Sequence, residues 1–154
     1  MGEKPRLTPE QFRTLVQTAP LVSLDLVILD GAGHVMVGMR TNQPARGTWF
    51  VPGGIIFKNE RLDDAFRRIL KAETGLELPR SQARHIGLFE HFYATNRFGE
   101  PGYGTHYVVN AYRIELQERP AVALDDQHTH VRWLQPQELL AYAEVHENTK
   151  AYFR

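Results

Sequence analysis

The sequence predicts a single α+β domain in which a mixed β-sheet is combined with a few helices. Its 154 residues are 42% hydrophobic and 23% charged, which is the composition of an ordinary globular domain with its own core. Short apolar runs separated by glycine turns predict β-hairpins. Helical periodicity lies between these hairpins and does not follow every strand, which favours α+β over a doubly wound fold. We therefore treat residues 1–154 as one domain.

The first predicted element is a short helix within residues 1–20, in the segment TPEQFRTLVQTA. Thr8 is a favourable N-cap, and a proline follows it at the first helical position, where its fixed φ is helical and its missing N–H costs nothing. Phe12, Leu15 and Val16 recur at helical spacing and form an apolar stripe. The stripe can pack against the sheet of its own chain or against another copy.

The predicted strands are short segments rich in β-branched and aromatic residues. They are, in chain order, LVSLDLVILD, HVMVGMR, GTWFVPGG, ARHIGLFEHFYA, THYVVNAYRIEL and VRWL. The first two are separated by a Gly-Ala-Gly turn, and the fourth and fifth by the glycine-rich loop TNRFGEPGYG, so each pair predicts a hairpin. Short helices are predicted in PQELLAYA and ENTKAYFR.

A longer helix is predicted from Arg61 to Thr74. Asn59 can cap it, and acidic residues near its start favour the positive end of the helix dipole. One apolar face recurs at helical spacing and contains Leu62, Ala65, Phe66, Ile69, Leu70 and Glu73. Gly75 predicts the C-terminal end, because glycine readily adopts the left-handed conformation found there.

Charge and cysteine content argue against several classes of function. Lys plus Arg equals Asp plus Glu at 18 each, so no net field attracts nucleic acid or an anionic membrane. Cysteine is absent, which removes disulfides, thiolate metal sites and thiol nucleophiles. No apolar run approaches the roughly 18 residues of a membrane span, and the start of the chain has no signal-peptide core. We expect a cytoplasmic protein without a nucleic-acid or membrane partner.

Glu73 and Arg68 are the first candidates for chemistry. Glu73 continues the apolar stripe of its helix, where a carboxylate is costly unless it is paired or bound to a metal, although its side chain can also reach solvent at the helix end. Ile69, one turn earlier on the same face, cannot ligate a metal, so any metal site here has few acidic ligands. For Arg68 the spacing favours a plain i, i+4 ion pair with Asp64.

Strands and loops supply further candidates. Arg40 ends a strand and can hold a phosphate by two prongs or remain a solvated charge. Asp25 interrupts an apolar strand on a mixed face, which leaves outward exposure and a role in a site equally open. His128 and His130, in the loop DDQHTH, can act as a general base near neutral pH, although most loop histidines are solvated. His91 lies among aromatic residues and can equally serve in packing.

The segment 54–76 resembles the signature of the Nudix superfamily, which is Gly-x5-Glu-x7-Arg-Glu-apolar-x-Glu-Glu-x-Gly-apolar. The matching residues are Gly54, Glu60, Arg68, Glu73, Gly75 and Leu76. Two positions depart from the signature, because Ile69 and Ala72 stand where it has acids. The chain therefore resembles a Nudix hydrolase with a modified box.

One branch of the superfamily, the GDP-mannose mannosyl hydrolases, resembles this chain over nearly its whole length. The similar segments are PLVSLDLVI, GMRTNQPARGTWFVPGG, AETGLELP, HFYATN, THYVV, DDQH and RWL. The resemblance implies a Nudix fold, with a mixed β-sheet sandwiched between helices. It also implies hydrolysis of GDP-mannose to GDP and mannose, with Mg²⁺ or its substitute Mn²⁺, by inverting attack of water at the anomeric carbon. Relatives pair as homodimers, for which Phe12, Leu15 and Val16 are candidate contacts.

The resemblance further implies a metal site and a catalytic pair. Glu73, the backbone carbonyl of Gly53 and the side chain of Gln127 would hold the Mg²⁺. His128 would be the general base that activates water. Asp25 would assist near the reacting sugar by hydrogen bonding to the base or to mannose.

The resemblance also implies contacts to the nucleotide-sugar substrate. Arg40 would act in catalysis by steadying negative charge on the departing GDP. Arg68 would lie near the diphosphate, and Tyr107 would donate a hydrogen bond to it. His91 is a further substrate-binding candidate.

Attack at carbon needs a stabilised leaving group and a base placed elsewhere, so it requires fewer carboxylates than attack at phosphorus, which would explain Ile69 and Ala72. Two alternatives stay open: a conventional Nudix pyrophosphohydrolase that releases a monophosphate, and a module that binds a nucleotide sugar without turnover. Ile55 favours the second, because the relatives carry an arginine there that contacts the diphosphate. Arg46 or Arg61 could replace that charge. The preferred base and sugar stay open as well.

Overall fold

The structure, a computed structural model, describes residues 7–120 and 131–154. The strands are β1 (Leu21–Leu29), β2 (Val35–Met39), β3 (Trp49–Phe50), β4 (Gly53–Ile55), β5 (Arg84–Tyr93), β6 (Thr105–Glu115) and β7 (Val131–Leu134). The helices are α1 (Pro9–Thr18), α2 (Leu62–Thr74), α3 (Pro136–Ala141) and α4 (Glu147–Lys150), with 3₁₀ turns at Arg80–Gln82 and Ala151–Phe153. Every predicted element is present, and GTWFVPGG forms two short strands, β3 and β4, on either side of Pro52.

Strand β1 lies at the centre of a single mixed sheet with the order β3-β2-β1-β6-β5. It pairs in parallel with β6 along its whole length, and antiparallel with β2 and β4. The β4 pairing sets Asp25 opposite Gly53 and Ser23 opposite Ile55. β5 and β6 form the predicted hairpin. The predicted α+β class with a mixed sheet is therefore confirmed.

Alternation along β1 divides the core between the two faces of the sheet. One face packs on α2 and contains Leu24 and Leu26. The other packs on the C-terminal helices and contains Val27 and Leu29. Asp25 has the parity of Val27 and Leu29, so its side chain lies on the C-terminal side of the sheet. Helices thus cover both faces, as the resemblance implied. The alternative in which the Asp25 side chain points out into solvent is wrong.

Helix α2 begins one residue after the predicted start and ends at the predicted residue. The predicted cap at Asn59 is wrong, because Asn59 adopts a left-handed turn with φ 65° and the N-cap is Arg61, without a side-chain hydrogen bond. Gly75 has φ 75° and donates its N–H to the Lys71 carbonyl at 2.8 Å, which confirms the predicted helix end.

The two positions of α2 that lack acids differ in environment. Ile69 is 2% exposed and packs in the core between α2 and the sheet. A methyl group on Gly54 would lie 3.1 Å from the Ile69 side chain, so the two residues are in close contact. Ala72 is exposed. One missing acid has become a core residue, and the other has become a solvent-facing alanine.

Helix α1 is used within its own chain. Thr8 and Gln11 form a reciprocal capping box, with distances of 3.2 and 3.0 Å. Val16 is 7% exposed, and the Phe12 ring lies 5.8 Å from the ring of Phe98. The stripe predicted as a candidate dimer contact therefore packs largely on its own chain.

Among the described residues, no helix is long and apolar enough to cross a membrane.

Restoring the two missing acids should affect stability very unequally. We expect Ile69→Glu to lower the free energy of unfolding by roughly 3–5 kcal/mol, because it places an unpaired carboxylate in the core and removes apolar packing. We expect Ala72→Glu to change it by less than about 0.5 kcal/mol, because that side chain would lie in solvent. Urea denaturation of both variants measures the difference. Equal losses for both would contradict the burial of Ile69.

Candidate active site

Two adjoining clefts open beside β1 and β4. The aspartate cleft has a volume of about 260 Å³, and its polar lining includes Asp25, Arg40, His91, Tyr93 and Tyr107. The glutamate cleft has a volume of about 280 Å³, and its lining includes Glu73, Pro52 and Val131. The residues that line both clefts are Arg40, Phe50, Val51, Gly53 and Arg97. An extended molecule that occupies both clefts must pass these shared residues.

Asp25 is held at the base of the aspartate cleft by its strand pairing. A Cβ atom at Gly53 would collide with Asp25 Oδ1 and with the Leu24 carbonyl, so β4 can approach this closely only with glycine there. Tyr152 donates a hydrogen bond from its hydroxyl to Asp25 Oδ2 at 2.5 Å. The residue keeps partial exposure to the cleft. Burial nevertheless raises the pKa of its carboxyl to about 6, and the Tyr152 hydrogen bond only partly offsets this.

His91 lies beside Asp25 on the same wall of the cleft. It is 5% exposed, and its Nε2 atom is 3.4 Å from the Tyr152 hydroxyl. Burial lowers the pKa of His91 to about 4, so the imidazole is neutral near pH 7. Burial together with Asp25 raises the pKa of Tyr152 well above its usual value, which keeps its hydroxyl a donor. The base of the cleft therefore combines a carboxylate, a neutral imidazole and a phenol.

Arg40 and Tyr107 form the polar side of the aspartate cleft. The Arg40 Nε donates to the carbonyls of Asn42 and Pro44, at 3.1 and 2.5 Å, and its guanidinium lies 5.8 Å from the centre of the Phe50 ring. Burial raises the pKa of Tyr107, and the neighbouring Arg40 opposes that rise. Both predicted substrate-binding residues thus lie at one cleft, close to each other.

The glutamate cleft offers oxygen donors that suit a divalent cation. Glu73 and Gly53 both line it, so a carboxylate and a strand backbone lie together. Mg²⁺ commonly takes one or two carboxylates and completes its shell with water and phosphate oxygens, so this donor set fits it. Within the described residues, no three His, Cys, Asp or Glu side chains form a metal cluster. Among the described residues that line the glutamate cleft, Glu73 is the one carboxylate.

Arg68 binds Glu60 and not Asp64, so the predicted i, i+4 ion pair is wrong. Its guanidinium donates to both oxygens of Glu60, at 2.8 and 2.9 Å, and to the Ile55 carbonyl at 2.8 Å. The Glu60 side chain is only 1% exposed and accepts the Phe57 N–H at 3.1 Å. Because Arg68 lines neither cleft, it has a structural task, and its contact with a diphosphate stays a prediction.

The predicted residues fall into two groups. Asp25, Arg40, His91, Tyr107, Gly53 and Glu73 are brought together at the two clefts. Gln127 and His128, the predicted metal ligand and general base, lie outside the described residues, and their roles stay predictions. Strand β7 begins a few residues later at Val131, which lines the glutamate cleft.

Three residues near the clefts carry no signal in the sequence. Tyr152 lies in ENTKAYFR, where periodicity indicates only a terminal helix. His146 stacks on Phe50 with ring centres 5.0 Å apart and lies 5.2 Å from the Tyr93 ring. Arg97 occupies a glycine-rich loop between strands and lines both clefts. Long-range contacts place all three, so a local pattern could not identify them.

The sheet between helices, with a glycine strand next to a helix that carries Glu73, defines a domain of the Nudix class. The family model described as NUDIX domain matches residues 19–154, and the chain belongs to the Nudix family. It is therefore a Nudix hydrolase, a class that generally uses divalent metal ions such as Mg²⁺.

One relative covers nearly the whole chain. The low-salt glycan biosynthesis protein Agl8 of Haloferax volcanii is 37% identical over 153 residues, which is 98% of this chain and 92% of that protein. At this identity it supports membership of the same family.

Solved structures with lower identity show the fold. The MutT NUDIX hydrolase of Burkholderia pseudomallei has a TM-score of 0.69 and 24% identity, over 87% of this chain and 95% of that chain. The MutT protein of Methanosarcina mazei Go1 has a TM-score of 0.67 and 18% identity, over 87% and 91%. The NUDIX domain of Shewanella oneidensis NrtR, complexed with ADP ribose, has a TM-score of 0.65 and 17% identity, over 95% of both chains.

The buried His91 should make stability depend on pH. Its pKa falls from 6.5 to about 4 on folding, so between these values the unfolded chain binds more protons and the folded state loses stability as pH falls. We expect His91→Gln to remove this loss. The Tm of the variant relative to wild type should therefore rise as pH is lowered from about 7 to about 5.

His85→Gln, at an exposed position of the same strand, controls for removal of an imidazole as such. The His91 ring can also be followed directly by NMR. A protonation midpoint above about pH 6 for that ring, or a Tm difference independent of pH, would contradict its neutral buried state.

Proposed function

We propose that the chain hydrolyses a GDP-sugar, with GDP-mannose as the leading candidate, to GDP and the free sugar. Water attacks the anomeric carbon, so the bond between carbon and the diphosphate oxygen breaks. The name of the 37% identical relative refers to glycan biosynthesis, a process in which nucleotide sugars are the usual glycosyl donors. Membership of the Nudix family supports a nucleotide derivative as substrate.

The observation that carries this proposal is the single carboxylate that α2 contributes to the glutamate cleft. Ile69 is buried in the core, Ala72 faces solvent, and Glu73 lines the cleft. Attack at phosphorus requires water to be deprotonated close to the metal, which rewards several acids. Attack at carbon requires neutralisation of the leaving diphosphate, and one acid is enough for that.

The aspartate cleft supplies the groups that a sugar requires. Asp25 accepts hydrogen bonds, and neutral His91 can donate one and accept one, so both can bind sugar hydroxyls. The hydroxyl of Tyr152 fixes the Asp25 carboxylate in place. Tyr93 and Phe50 add aromatic surface to the same cleft. In this arrangement the sugar occupies the aspartate cleft and the diphosphate lies at the residues shared with the glutamate cleft.

The reaction then needs charge stabilisation on one side and a base on the other. Bound at Glu73, the Gly53 carbonyl and Gln127, Mg²⁺ would neutralise charge on the diphosphate. Arg40 adds a positive charge where the clefts join. His128 takes a proton from water as the water oxygen bonds to the anomeric carbon. The electrons of the broken carbon–oxygen bond remain on the β-phosphate of GDP, and the sugar is released with inverted configuration.

We also propose that the protein is cytoplasmic and homodimeric, and that Mn²⁺ can replace Mg²⁺. We further propose that it does not bind nucleic acid, because its acidic and basic residues are equal in number. Because Phe12 and Val16 pack within the chain, a dimer would use α1 through its outer residues.

Product identity separates the three candidate activities. We expect GDP-mannose with Mg²⁺ to give GDP and mannose in equal amounts, and chelation of the metal to abolish turnover. Anion-exchange chromatography of the nucleotide and enzymatic assay of free mannose measure both. GMP with mannose 1-phosphate would identify a conventional pyrophosphohydrolase. A protein that binds GDP-mannose, GDP-glucose or a GDP-deoxysugar tightly but hydrolyses none of them would be a binding module.

The general base can be tested with a matched pair in one loop. We expect His128→Gln to lower kcat by roughly 10²–10⁴-fold, the usual contribution of a general base, while GDP binding changes less than about twofold. His130→Gln, two residues away, should keep wild-type turnover. Turnover that survives in His128→Gln and falls in His130→Gln would transfer the role to His130. Survival in both would remove the loop histidines from catalysis.

A further inference from the structure

We propose that Arg97 is a substrate-binding residue that contacts the diphosphate of the nucleotide. It supplies a positive charge to the phosphates, which the apolar side chain of Ile55 cannot do. This inference rests on the proposed function, because it assigns a new residue to the same site. It concerns a side chain that neither the family signature nor the sequence pattern identifies.

The position of Arg97 is the first reason. Of the described residues that line the two clefts, Arg40 and Arg97 are the arginines, and no lysine lines either cleft. Both arginines belong to the lining that the clefts share, which is the place assigned to the diphosphate. Ile55 lines the aspartate cleft with an apolar side chain. A diphosphate that crosses from one cleft to the other therefore meets a pair of guanidinium groups.

The free bonding capacity of Arg97 is the second reason. Arg40 already donates through its Nε to the carbonyls of Asn42 and Pro44. In the part of the chain that the structure describes, Arg97 makes no ion pair or side-chain hydrogen bond, and it is exposed. Its planar fork of donors is available to an anion, and the guanidinium geometry matches two phosphate oxygens at once.

The sequence suggested Arg46 or Arg61 as the replacement charge, and neither lines a cleft. Arg61 is the N-cap of α2, and Arg46 is exposed in the loop between β2 and β3. Neither arginine is therefore placed to supply the missing charge directly. Arg97 is the remaining unpaired arginine among the described lining residues.

The loop that carries Arg97 is built around a buried asparagine. Asn96 is 0% exposed, and its Nδ2 donates to the carbonyls of Glu100 and Tyr103, at 2.8 and 2.9 Å. Its Oδ1 accepts the N–H groups of Phe98 and Glu100, at 3.1 and 3.2 Å. These four bonds fix the backbone on both sides of Arg97. A preordered backbone lowers the entropy that must be lost when Arg97 binds a ligand.

Helix α1 braces the same loop from outside. Arg13 donates from Nε to Glu100 at 2.5 Å, and its guanidinium lies 4.9 Å from the centre of the Phe98 ring. The Phe12 ring also contacts Phe98, with ring centres 5.8 Å apart. The helix therefore holds the Arg97 loop beside the clefts, which gives α1 a task within one chain.

Equilibrium binding of GDP and GMP tests the inference without requiring turnover. Both ligands carry the same base, so only the number of phosphates differs. We expect Arg97→Ala to weaken GDP binding about tenfold or more in the presence of Mg²⁺, because a charge-assisted phosphate contact is lost. GMP binding should change less than about twofold. Arg97→Lys should recover part of the GDP affinity, since it keeps the charge but not the fork.

Arg46→Ala is the matched control, because it removes an exposed arginine that lines neither cleft. It should bind both nucleotides as wild type does. Thermal midpoints equal to wild type show that each variant is folded. GDP affinity unchanged in Arg97→Ala, or an equal loss for GDP and GMP, would overturn the role of Arg97 while the proposed function stands. A wild-type protein that binds neither GDP nor GMP would overturn the proposed function, and the inference with it.

Discussion

The ion pair between Glu60 and Arg68 is the constraint on which the site depends. It links α2 to β4 and to the segment that follows β4, because Arg68 donates to both Glu60 oxygens and to the Ile55 carbonyl while Glu60 accepts the Phe57 N–H. Because the Glu60 side chain is almost fully buried, loss of Arg68 would remove a charge-assisted partner from a carboxylate that water hardly reaches. The pair thereby fixes the position of β4 relative to α2, so that Glu73 and Gly53 line the same cleft.

Two glycines and one apolar residue, which stands where the family signature has an acid, determine which groups reach the two clefts. Gly53 lets β4 approach the Asp25 carboxylate, and Gly54 lets Ile69 pack where the family signature has an acid. Among the described residues, the lining of the glutamate cleft therefore contains one acid, Glu73, while a second polar cleft lies directly next to it. A divided site of this kind suits a reaction in which the diphosphate is stabilised at one place and water is activated at another. The proposed attack at the anomeric carbon depends on this separation between the place that stabilises the diphosphate and the place that activates water.

Local patterns predicted the elements, and long-range contacts decided the site. Helical spacing located α1 and α2, and glycine turns located the hairpins, because both signals depend on nearby residues. The environment of Asp25 could not be derived in this way, since its hydrogen-bond donor, Tyr152, is 127 residues away in the chain. The partner of Arg68 was mispredicted because i, i+4 spacing favours Asp64, whereas the turn before α2 brings Glu60 back to the guanidinium. Arg97 stood in a loop without periodicity, so only the fold could place it at the clefts.

Hydrolysis of GDP-mannose in ¹⁸O-labelled water tests the central claim most directly, because it reports which bond is broken. Mass analysis of both products locates the oxygen that came from water. We expect the label in mannose and none in GDP, which requires attack at the anomeric carbon. Label in a phosphate group would mean attack at phosphorus, and it would contradict a site in which Glu73 is the α2 carboxylate at the metal and Asp25 and His91 bind the sugar.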